Sequence, residues 1–189
     1  VLKGDLPIGI YRFSCDAWVA PELYNMNEQA GAPPDDYAVL GQNWGFPTYN
    51  WSEMAKDGFL WWQNRMRQLN RYFDALRIDH ILGFFRIWQI PTDQVEGTMG
   101  SFNPRLPFTR DELAQYGISG DLSRFTMPYL TFDHLTQLFG SELDELFDVF
   151  FTKHNDGRIV FKSSFDTQLE ISHFVAQNQK YKKYEKNLL

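Results

Sequence analysis

The sequence predicts an α/β protein built around parallel strands, and three segments carry that prediction. A short apolar run at residues 6–11 has the length and composition of a buried strand. Ser52 can cap a helix that runs to about Phe73. Apolar side chains recur along this segment at the spacing of one helical face, at Trp62, Met66, Leu69 and Phe73. A β-length run at residues 75–82 follows almost at once, and the order helix, short connection, strand is typical of a parallel sheet.

Composition narrows the class of protein. The 189 residues are 43% hydrophobic and 17% aromatic, which excludes a disordered or low-complexity chain. The net charge of -6 argues against nucleic-acid binding, which depends on a basic surface. Cys15 is the single cysteine, so neither an internal disulfide nor a cysteine zinc site can form. The single cysteine makes the reducing cytoplasm the expected compartment. The sequence has no apolar run of 18 residues and no signal-peptide core, and no membrane partner is expected.

Residues 30–51 are predicted to form a long aromatic loop. Paired prolines and several glycines between residues 30 and 49 disfavour regular structure. The aromatic residues of this loop are Tyr37, Trp44, Phe46, Tyr49 and Trp51, and they alternate with polar residues that include Gln42. Flat apolar rings beside hydrogen-bonding groups match the faces and edges of sugars. A loop that only packs on its own domain is an equally good interpretation of this composition.

The rest of the chain is less regular. A second strand is predicted at residues 87–91, where Pro91 ends the apolar run, and a short helix is predicted at residues 109–116. Ser141 resembles the start of a capping box. A turn is predicted at residues 155–157 and a helix at residues 166–178. The lysine-rich end has no clear final element.

Arg77 and Asp79 are the strongest candidates for chemistry. Side chains two positions apart in a strand leave the same face, so a cation and a carboxylate are expected to share a buried face. An ionised, oriented carboxylate is what a covalent glycosidase-type mechanism needs, while a structural ion pair is the alternative. Glu170 could act as a general acid only if folding brought it near Asp79. Three histidines lack metal-ligand spacing, His134, His154 and His173.

Three groups of motifs, in this order along the chain, resemble the amylomaltases, which are 4-α-glucanotransferases related to the α-amylase superfamily. They are GDLPI (4–8) with DAW (16–18), GAPPD (31–35) with GQNWG (41–45), and RIDH (77–80) with GFFRIW (83–88) and IP (90–91). The last group resembles the family's fourth barrel strand. The stretch after it, including FNPRLP at 102–107, resembles the subgroup with an insertion there, to which the plant cytosolic disproportionating enzyme belongs.

The resemblance implies roles for individual residues. Asp79 matches the family's catalytic nucleophile and Arg77 the arginine that hydrogen-bonds it. Trp44 and Gln42 match positions of the cleft loop that contact glucan, and His80 lies beside the nucleophile. A further substrate-binding candidate is Tyr37, although many members read Asp-Tyr-Phe where this chain reads Asp35-Asp36-Tyr37.

The resemblance also implies an internal fragment of a (β/α)8 TIM barrel. The family's general acid/base glutamate and its third carboxylate lie in later motifs that do not occur between Asp79 and Leu189. We therefore expect residues 1–91 to be a barrel segment with about strands 3 and 4, the cleft loop at 30–51 and the nucleophile strand at 75–82. Residues 92–165 are expected to be a mostly helical insertion, and residues 166–189 a helix that returns toward the barrel. By itself the fragment is expected to be inactive.

The implied activity is transfer of α-1,4-glucan segments or glucosyl units between malto-oligosaccharides or soluble glucans, by a retaining double displacement. An amylase-like hydrolase using the same Asp79 is one alternative, and a non-catalytic glucan-binding piece is another. The reaction calls for neither a metal nor an organic cofactor.

Overall fold

The structure of the protein is a computed structural model that describes residues 1–126, 129–155 and 157–189. Contacts divide the chain into two compact units, Val1–Arg105 and Leu106–Leu189. Both units contain helices and strands, which confirms the predicted α/β class. Residues 92–105 lie with the first unit, so the structural division falls inside the segment 92–165 that the sequence assigns to an insertion.

The first unit holds eight strands and three α-helices among its residues. In chain order they are β1 (Lys3–Leu6), α1 (Cys15–Val19), β2 (Tyr24–Asn25), β3 (Glu28–Ala32), β4 (Gln42–Asn43), β5 (Thr48–Tyr49), α2 (Trp51–Ala55), α3 (Leu60–Leu69), β6 (Ala75–Ile78), β7 (Ile87–Pro91) and β8 (Ser101–Asn103). The predicted strand at 87–91 is confirmed as β7.

Strand pairing in this unit brings distant segments together. β1 and β6 pair in parallel, with Asp5 opposite Arg77, which confirms a parallel pair next to the predicted helix. A second sheet has the order β4-β3-β7-β8 and is antiparallel throughout, and β2 pairs antiparallel with β5. The prediction that residues 30–49 hold no regular element was wrong, because this segment contains β4, which pairs with β3, and β5, which pairs with β2.

The predicted single helix from Ser52 to Phe73 is two helices, α2 and α3. The chain breaks between them at Gly58 and Phe59, whose φ angles of 72° and 62° are left-handed and end a right-handed helix. The N-cap of α2 is Asn50, whose side chain accepts a hydrogen bond from Glu53 N, so the cap predicted at Ser52 was wrong. Of the predicted apolar face, α3 buries Trp62 and half-buries Leu69, whereas Met66 is exposed and Phe73 lies beyond the end of the helix.

Both strands of the parallel pair differ from the prediction. β1 covers Lys3–Leu6 and shares only Leu6 with the strand predicted at 6–11, and the apolar residues Ile8 and Ile10 are buried outside a strand. β6 ends at Ile78, and residues 81–84 form a 3-10 helix instead of continuing the strand to residue 82. The reason is local, since His80 has a φ of 48°, which turns the chain out of the extended conformation.

Two apolar clusters hold the first unit together. The larger one is aromatic and packs Tyr49 against Trp62 with ring centroids 5.1 Å apart. Burial raises the pKa of Tyr49 to about 12. The smaller cluster consists of Ile8, Ala30 and Ile87, and Trp44 is among the side chains that pack on it. The small cluster therefore anchors the loop that carries the sugar-binding candidates.

The second unit is mostly helical. Its elements are α4 (Arg110–Gln115), α5 (Ser123–Thr126), α6 (Phe132–Phe139), α7 (Leu143–Phe150), β9 (Phe151–Lys153), β10 (Ile159–Phe161), α8 (Gln168–Gln177) and α9 (Glu185–Leu188). The helices predicted at 109–116 and 166–178 are confirmed as α4 and α8, each with a capping box. Residues 127, 128 and 156 lie outside the described residues, so the turn predicted at 155–157 is only partly described.

Residues 166–189 share one core with the segments before them. Val175 and Tyr181 pack in the same cluster as Leu135 and Phe150. The lysine-rich end is not irregular, because residues 179–184 form a 3-10 helix that leads into α9. The capping box predicted at Ser141 is absent, since a 3-10 turn leads directly into α7 without a side-chain cap.

Within the described ranges, which omit residues 127, 128 and 156, no helix has the length and apolar character needed to cross a membrane.

Candidate active site

Asp79 lies one residue beyond the carboxyl end of β6. Its backbone N–H donates to Leu6 O at 3.0 Å, which continues the parallel ladder past the strand. The guanidinium of Arg77 donates to the Asp79 carboxylate, with 2.7 Å between Nη2 and Oδ1. The two side chains therefore lie on one face, as their spacing of two residues predicts. Carboxyl ends of parallel strands are where barrel enzymes place their reacting groups.

Arg77 also faces a second carboxylate, which the sequence argument missed. Its Nη1 lies 3.5 Å from Asp5 Oδ1, because β1 places Asp5 directly opposite Arg77. The only sequence signal was the order of the two strand motifs, and their register comes from the fold.

The expectation that this face is buried was wrong for the described residues. The side chains of Arg77 and Asp79 are 59% and 46% exposed. The parallel sheet here has two strands, so little packs over the charged face. Ion pairs this exposed contribute on the order of 0.2–1 kcal/mol to stability. The Arg77 contact is thus better suited to orient the Asp79 carboxylate than to stabilise the fold.

His80 turns back from the strand toward the aromatic loop. Its left-handed backbone directs the chain into the 3-10 helix, and its ring meets Trp44 edge to face with centroids 5.2 Å apart. Gly83 makes room for this position, since a Cβ there would lie 2.5 Å from His80 Cδ2. The contact brings the loop next to the residue that follows Asp79.

Gln42 and Trp44 are held to each other and to the sheet. Trp44 Nε1 donates to Gln42 Oε1 at 3.0 Å, and the indole stacks on Phe46 at 5.8 Å. The backbone N–H of Trp44 donates to Ala30 O at 2.9 Å. The aromatic ring and the amide therefore form one rigid pair at the end of β4.

A second segment, residues 95–98, contacts the aromatic loop at Gln42 and Asn43. Asn43 Nδ2 donates to Val95 O at 3.1 Å, and Trp88 Nε1 donates to Gly97 O at 2.7 Å. Gly97 packs so closely that a Cβ would lie 2.5 Å from Gln42 N. The sequence does not indicate this contact, because nothing local in residues 95–98 points to their partner in the loop.

Arg12 fixes the turn that follows Trp44. Its guanidinium donates to Glu28 O at 2.7 Å and to Gly45 O at 3.4 Å. Burial lowers the pKa of Arg12 below its ordinary value. The sequence did not indicate this residue, since Arg12 stands alone between Tyr11 and Phe13 and belongs to no charge pattern.

The other loop aromatics divide between two roles. Tyr49 and Trp51 pack into the larger core cluster, so the interpretation of a loop folded on its own domain holds for them. Tyr37 is 98% exposed and follows a turn in which Asp35 Oδ1 accepts from Tyr37 N at 2.9 Å. The structure does not bring Tyr37 into the group formed by Trp44 and His80.

The weaker candidates have structural roles or none. Glu170 closes the capping box of α8, where its carboxylate accepts from Thr167 N at 3.0 Å. In the part of the chain that the structure describes, no group of three or more His, Cys, Asp or Glu side chains could hold a metal ion.

Comparison with known proteins places these residues in context. The family model described as 4-alpha-glucanotransferase, glycoside hydrolase family 77, matches residues 1–188. The chain is 45% identical over 171 residues to 4-alpha-glucanotransferase DPE2 of Oryza sativa subsp. japonica, which covers 90% of this chain and 18% of that protein. It is 48% identical over 88 residues to the 4-alpha-glucanotransferase of Chlamydia pneumoniae, covering 47% of this chain and 17% of the relative.

The chain is also similar to solved structures of amylomaltases. The amylomaltase from Streptococcus agalactiae in complex with acarbose superposes with a TM-score of 0.51 at 29% identity, over 74% of this chain and 30% of that one. The amylomaltase from Corynebacterium glutamicum gives 0.51 and 29% over 61% of this chain and 16% of that one. The chain thus spans less than a fifth of the two sequence relatives, at 18% and 17% of their lengths.

Proposed function

The chain belongs to the 4-alpha-glucanotransferase family, and from this membership we propose that it carries the nucleophile and part of the glucan-binding cleft of such an enzyme. The observation that carries the proposal is the 2.7 Å contact between Arg77 and Asp79 at the end of a parallel strand, with Trp44 beside His80. Chain disproportionation of maltotriose by the full-length enzyme, followed as glucose release and formation of longer products, tests it.

In the proposed reaction, a carboxylate oxygen of Asp79 attacks the anomeric carbon of an α-1,4-linked glucose. The glycosidic C–O bond breaks as a second carboxyl group, which the family resemblance places in later motifs, protonates the leaving oxygen. The product is a glucosyl ester on Asp79. The hydroxyl of an acceptor glucan then attacks the same carbon, loses its proton to the second carboxylate and frees Asp79 with retained configuration.

Arg77 is proposed to orient the nucleophile. Its fork binds one carboxylate oxygen of Asp79 and leaves the other free to attack, while its second branch faces Asp5. Trp44 and Gln42 are proposed to bind the sugar and to exclude water, so that an acceptor hydroxyl competes successfully with hydrolysis. Tyr37 is retained as a further substrate contact, and no metal or cofactor takes part in the proposed reaction.

We place β1 and β6 as about strands 3 and 4 of a (β/α)8 barrel. Their parallel pairing and the position of Asp79 beyond the end of β6 support this placement. The substrates would be malto-oligosaccharides or soluble glucan. A cytoplasmic location is consistent with a single free and exposed cysteine, Cys15.

Replacing Trp44 with alanine in the full-length enzyme is expected to raise the KM for maltotriose about tenfold, the worth of one aromatic contact. The share of hydrolysis should rise as well, because the loop would admit water. Trp44→Phe keeps an aromatic face, although a smaller one, and loses the donor to Gln42, so it should retain more of the transfer than Trp44→Ala. An unchanged KM and transfer-to-hydrolysis ratio in Trp44→Ala would show that the loop serves packing alone.

Replacing Arg77 with lysine should lower kcat on the order of 10²-fold with little change in KM. Lysine keeps the charge but loses the planar fork that holds the carboxylate. The matched control is Arg67→Lys on α3, where the guanidinium contacts only side chains of its own helix that the structure describes. Equal kcat in the two variants would argue against an orienting role for Arg77.

The hydrolase alternative has its own test. Added isotope-labelled glucose should appear in malto-oligosaccharides, and the mean chain length should fall, if transfer dominates, because glucose then accepts the transferred units. A product pattern that glucose leaves unchanged would favour the amylase-like reaction.

A further inference from the structure

Arg12 is a half-buried cation that three backbone carbonyls bind and that no carboxylate neutralises. Its two terminal nitrogens donate to Met26 O and Glu28 O, the latter at 2.7 Å, and its Nε donates to Gly45 O at 3.4 Å. In the ranges that the structure describes, no acidic side chain pairs with this guanidinium. Partial burial of a charge costs free energy, which these three hydrogen bonds offset.

The three carbonyls belong to two segments that are distant along the chain. Met26 lies in the turn between β2 and β3 and Glu28 begins β3, whereas Gly45 follows Trp44 in the aromatic loop. Three different nitrogens of one planar group reach these carbonyls, so the guanidinium fixes the separation between the hairpin and the loop. Lysine would keep the charge, but its single nitrogen cannot reach all the acceptors that the guanidinium spans.

The turn at Gly45 orients Trp44. The residues on either side of Gly45 bond the same partner, because Trp44 N donates to Ala30 O at 2.9 Å and Ala30 N donates to Phe46 O at 2.8 Å. Gly45 itself has a φ of 77°, a left-handed angle that takes it out of this pairing. Its carbonyl is the one that Arg12 binds. The position of the Trp44 ring therefore depends on a turn that Arg12 holds.

The segment that carries Arg12 also lies directly against the loop. A Cβ on Gly9 would lie 2.1 Å from Phe46 Cδ2, so only glycine allows this approach. Ile8, from the same segment, shares the small core cluster with Ala30, and Phe46 packs on that cluster. The loop thus rests on the segment between β1 and α1, and Arg12 supplies a polar contact from this segment to the loop.

We propose that Arg12 is a positioning residue that holds Trp44 in the orientation needed to bind glucan and to exclude water. The inference rests on the proposed function and adds a residue that acts through Trp44. Without the guanidinium, the turn at Gly45 can relax and the Trp44 ring can move away from His80. The reaction at Asp79 should proceed, since no hydrogen bond of Arg12 involves that residue.

Arg12→Lys in the full-length enzyme tests the proposal, with maltotriose as the substrate. The KM should rise about three- to fivefold and the share of hydrolysis should rise, while kcat stays within about twofold of its original value. A purely structural role would lower the amount of folded enzyme, and hence the apparent kcat, without changing the KM or the transfer-to-hydrolysis ratio. The matched control is Arg71→Lys, since Arg71 is exposed in the same unit.

A double-mutant cycle shows whether Arg12 acts through Trp44. Trp44→Ala alone is expected to raise the KM about tenfold. If Arg12 serves only to position Trp44, adding Arg12→Lys to Trp44→Ala should leave the KM at about tenfold, whereas independent effects would multiply to about thirty- to fiftyfold. A combined effect near that product would overturn the proposal.

The outcomes separate this inference from the proposed function. If Trp44→Ala changes the KM and the transfer-to-hydrolysis ratio but Arg12→Lys changes neither, Arg12 has no positioning role while the function stands. If Trp44→Ala itself changes neither, the loop has no part in the reaction and both proposals for it are wrong. Circular dichroism checks the fold of each variant, and Arg12→Gln, which removes the charge and keeps a donor, replaces Arg12→Lys if that variant does not fold.

Discussion

Asp79→Asn in the full-length enzyme is expected to lower kcat for maltotriose disproportionation on the order of 10⁴-fold or more. Asparagine keeps the volume of the side chain and can still accept from Arg77, but its amide cannot form the glucosyl ester. Because asparagine keeps the side-chain volume and an oxygen that accepts from Arg77 Nη2, the substitution should leave the melting temperature nearly unchanged. The effect should thus appear in turnover and not in folding.

The control uses the other carboxylate on the same arginine. Asp5 lies 3.5 Å from Arg77 Nη1, and Asp5→Asn removes an equal charge from the same neighbourhood. Asp5→Asn should cost far less turnover than Asp79→Asn, because Asp5 does not form a bond to the substrate. Acid quenching during turnover, followed by peptide mass spectrometry, should find the glucosyl adduct on the peptide that contains Asp79. Near-normal turnover of folded Asp79→Asn, or an adduct elsewhere, would refute the assignment.

Phe150→Ala is expected to destabilise the second unit by about 3–5 kcal/mol, the usual cost of removing a buried phenylalanine. Phe150 is fully buried at 0% exposure, and its ring contacts Phe165, Phe174 and Tyr181 with centroids 4.9, 5.6 and 5.4 Å away. The cavity would lie where α7, α8 and the 179–184 turn meet. A loss of this size approaches the whole stability of a small domain.

The measurement should localise that loss. Hydrogen exchange followed by mass spectrometry is expected to accelerate in peptides of α7 and α8. Phe108→Ala is the matched control in the same unit, because Phe108 is 68% exposed and the same atoms are removed from the surface. Equal exchange rates in the two variants would mean that the aromatic cluster is not the core of the second unit.

Much of the candidate site followed from the sequence because its signals are local. The alternation of side chains along a strand is enough to place Arg77 and Asp79 on one face. The motif resemblance led to the family that the comparisons then showed.

Other features depended on contacts between distant residues. The segment that grips the aromatic loop bonds Asn43 to Val95, which are separated by 52 positions. The break between α2 and α3 required left-handed angles at Gly58 and Phe59, and the apolar spacing that predicted one helix begins only after it, at Trp62. Sequence patterns have no access to such pairings, since the same local pattern suits several tertiary environments.

The sequence by itself determined the α/β class, the shared face of Arg77 and Asp79, and the motifs around Trp44. Only the tertiary structure decided that this face is exposed, that Asp5 stands opposite Arg77, and that the loop is pinned at Gly97. The reason is physical: backbone propensity and side-chain spacing act over a few residues, whereas burial, strand register and close backbone approach are properties of segments that meet only in the folded chain.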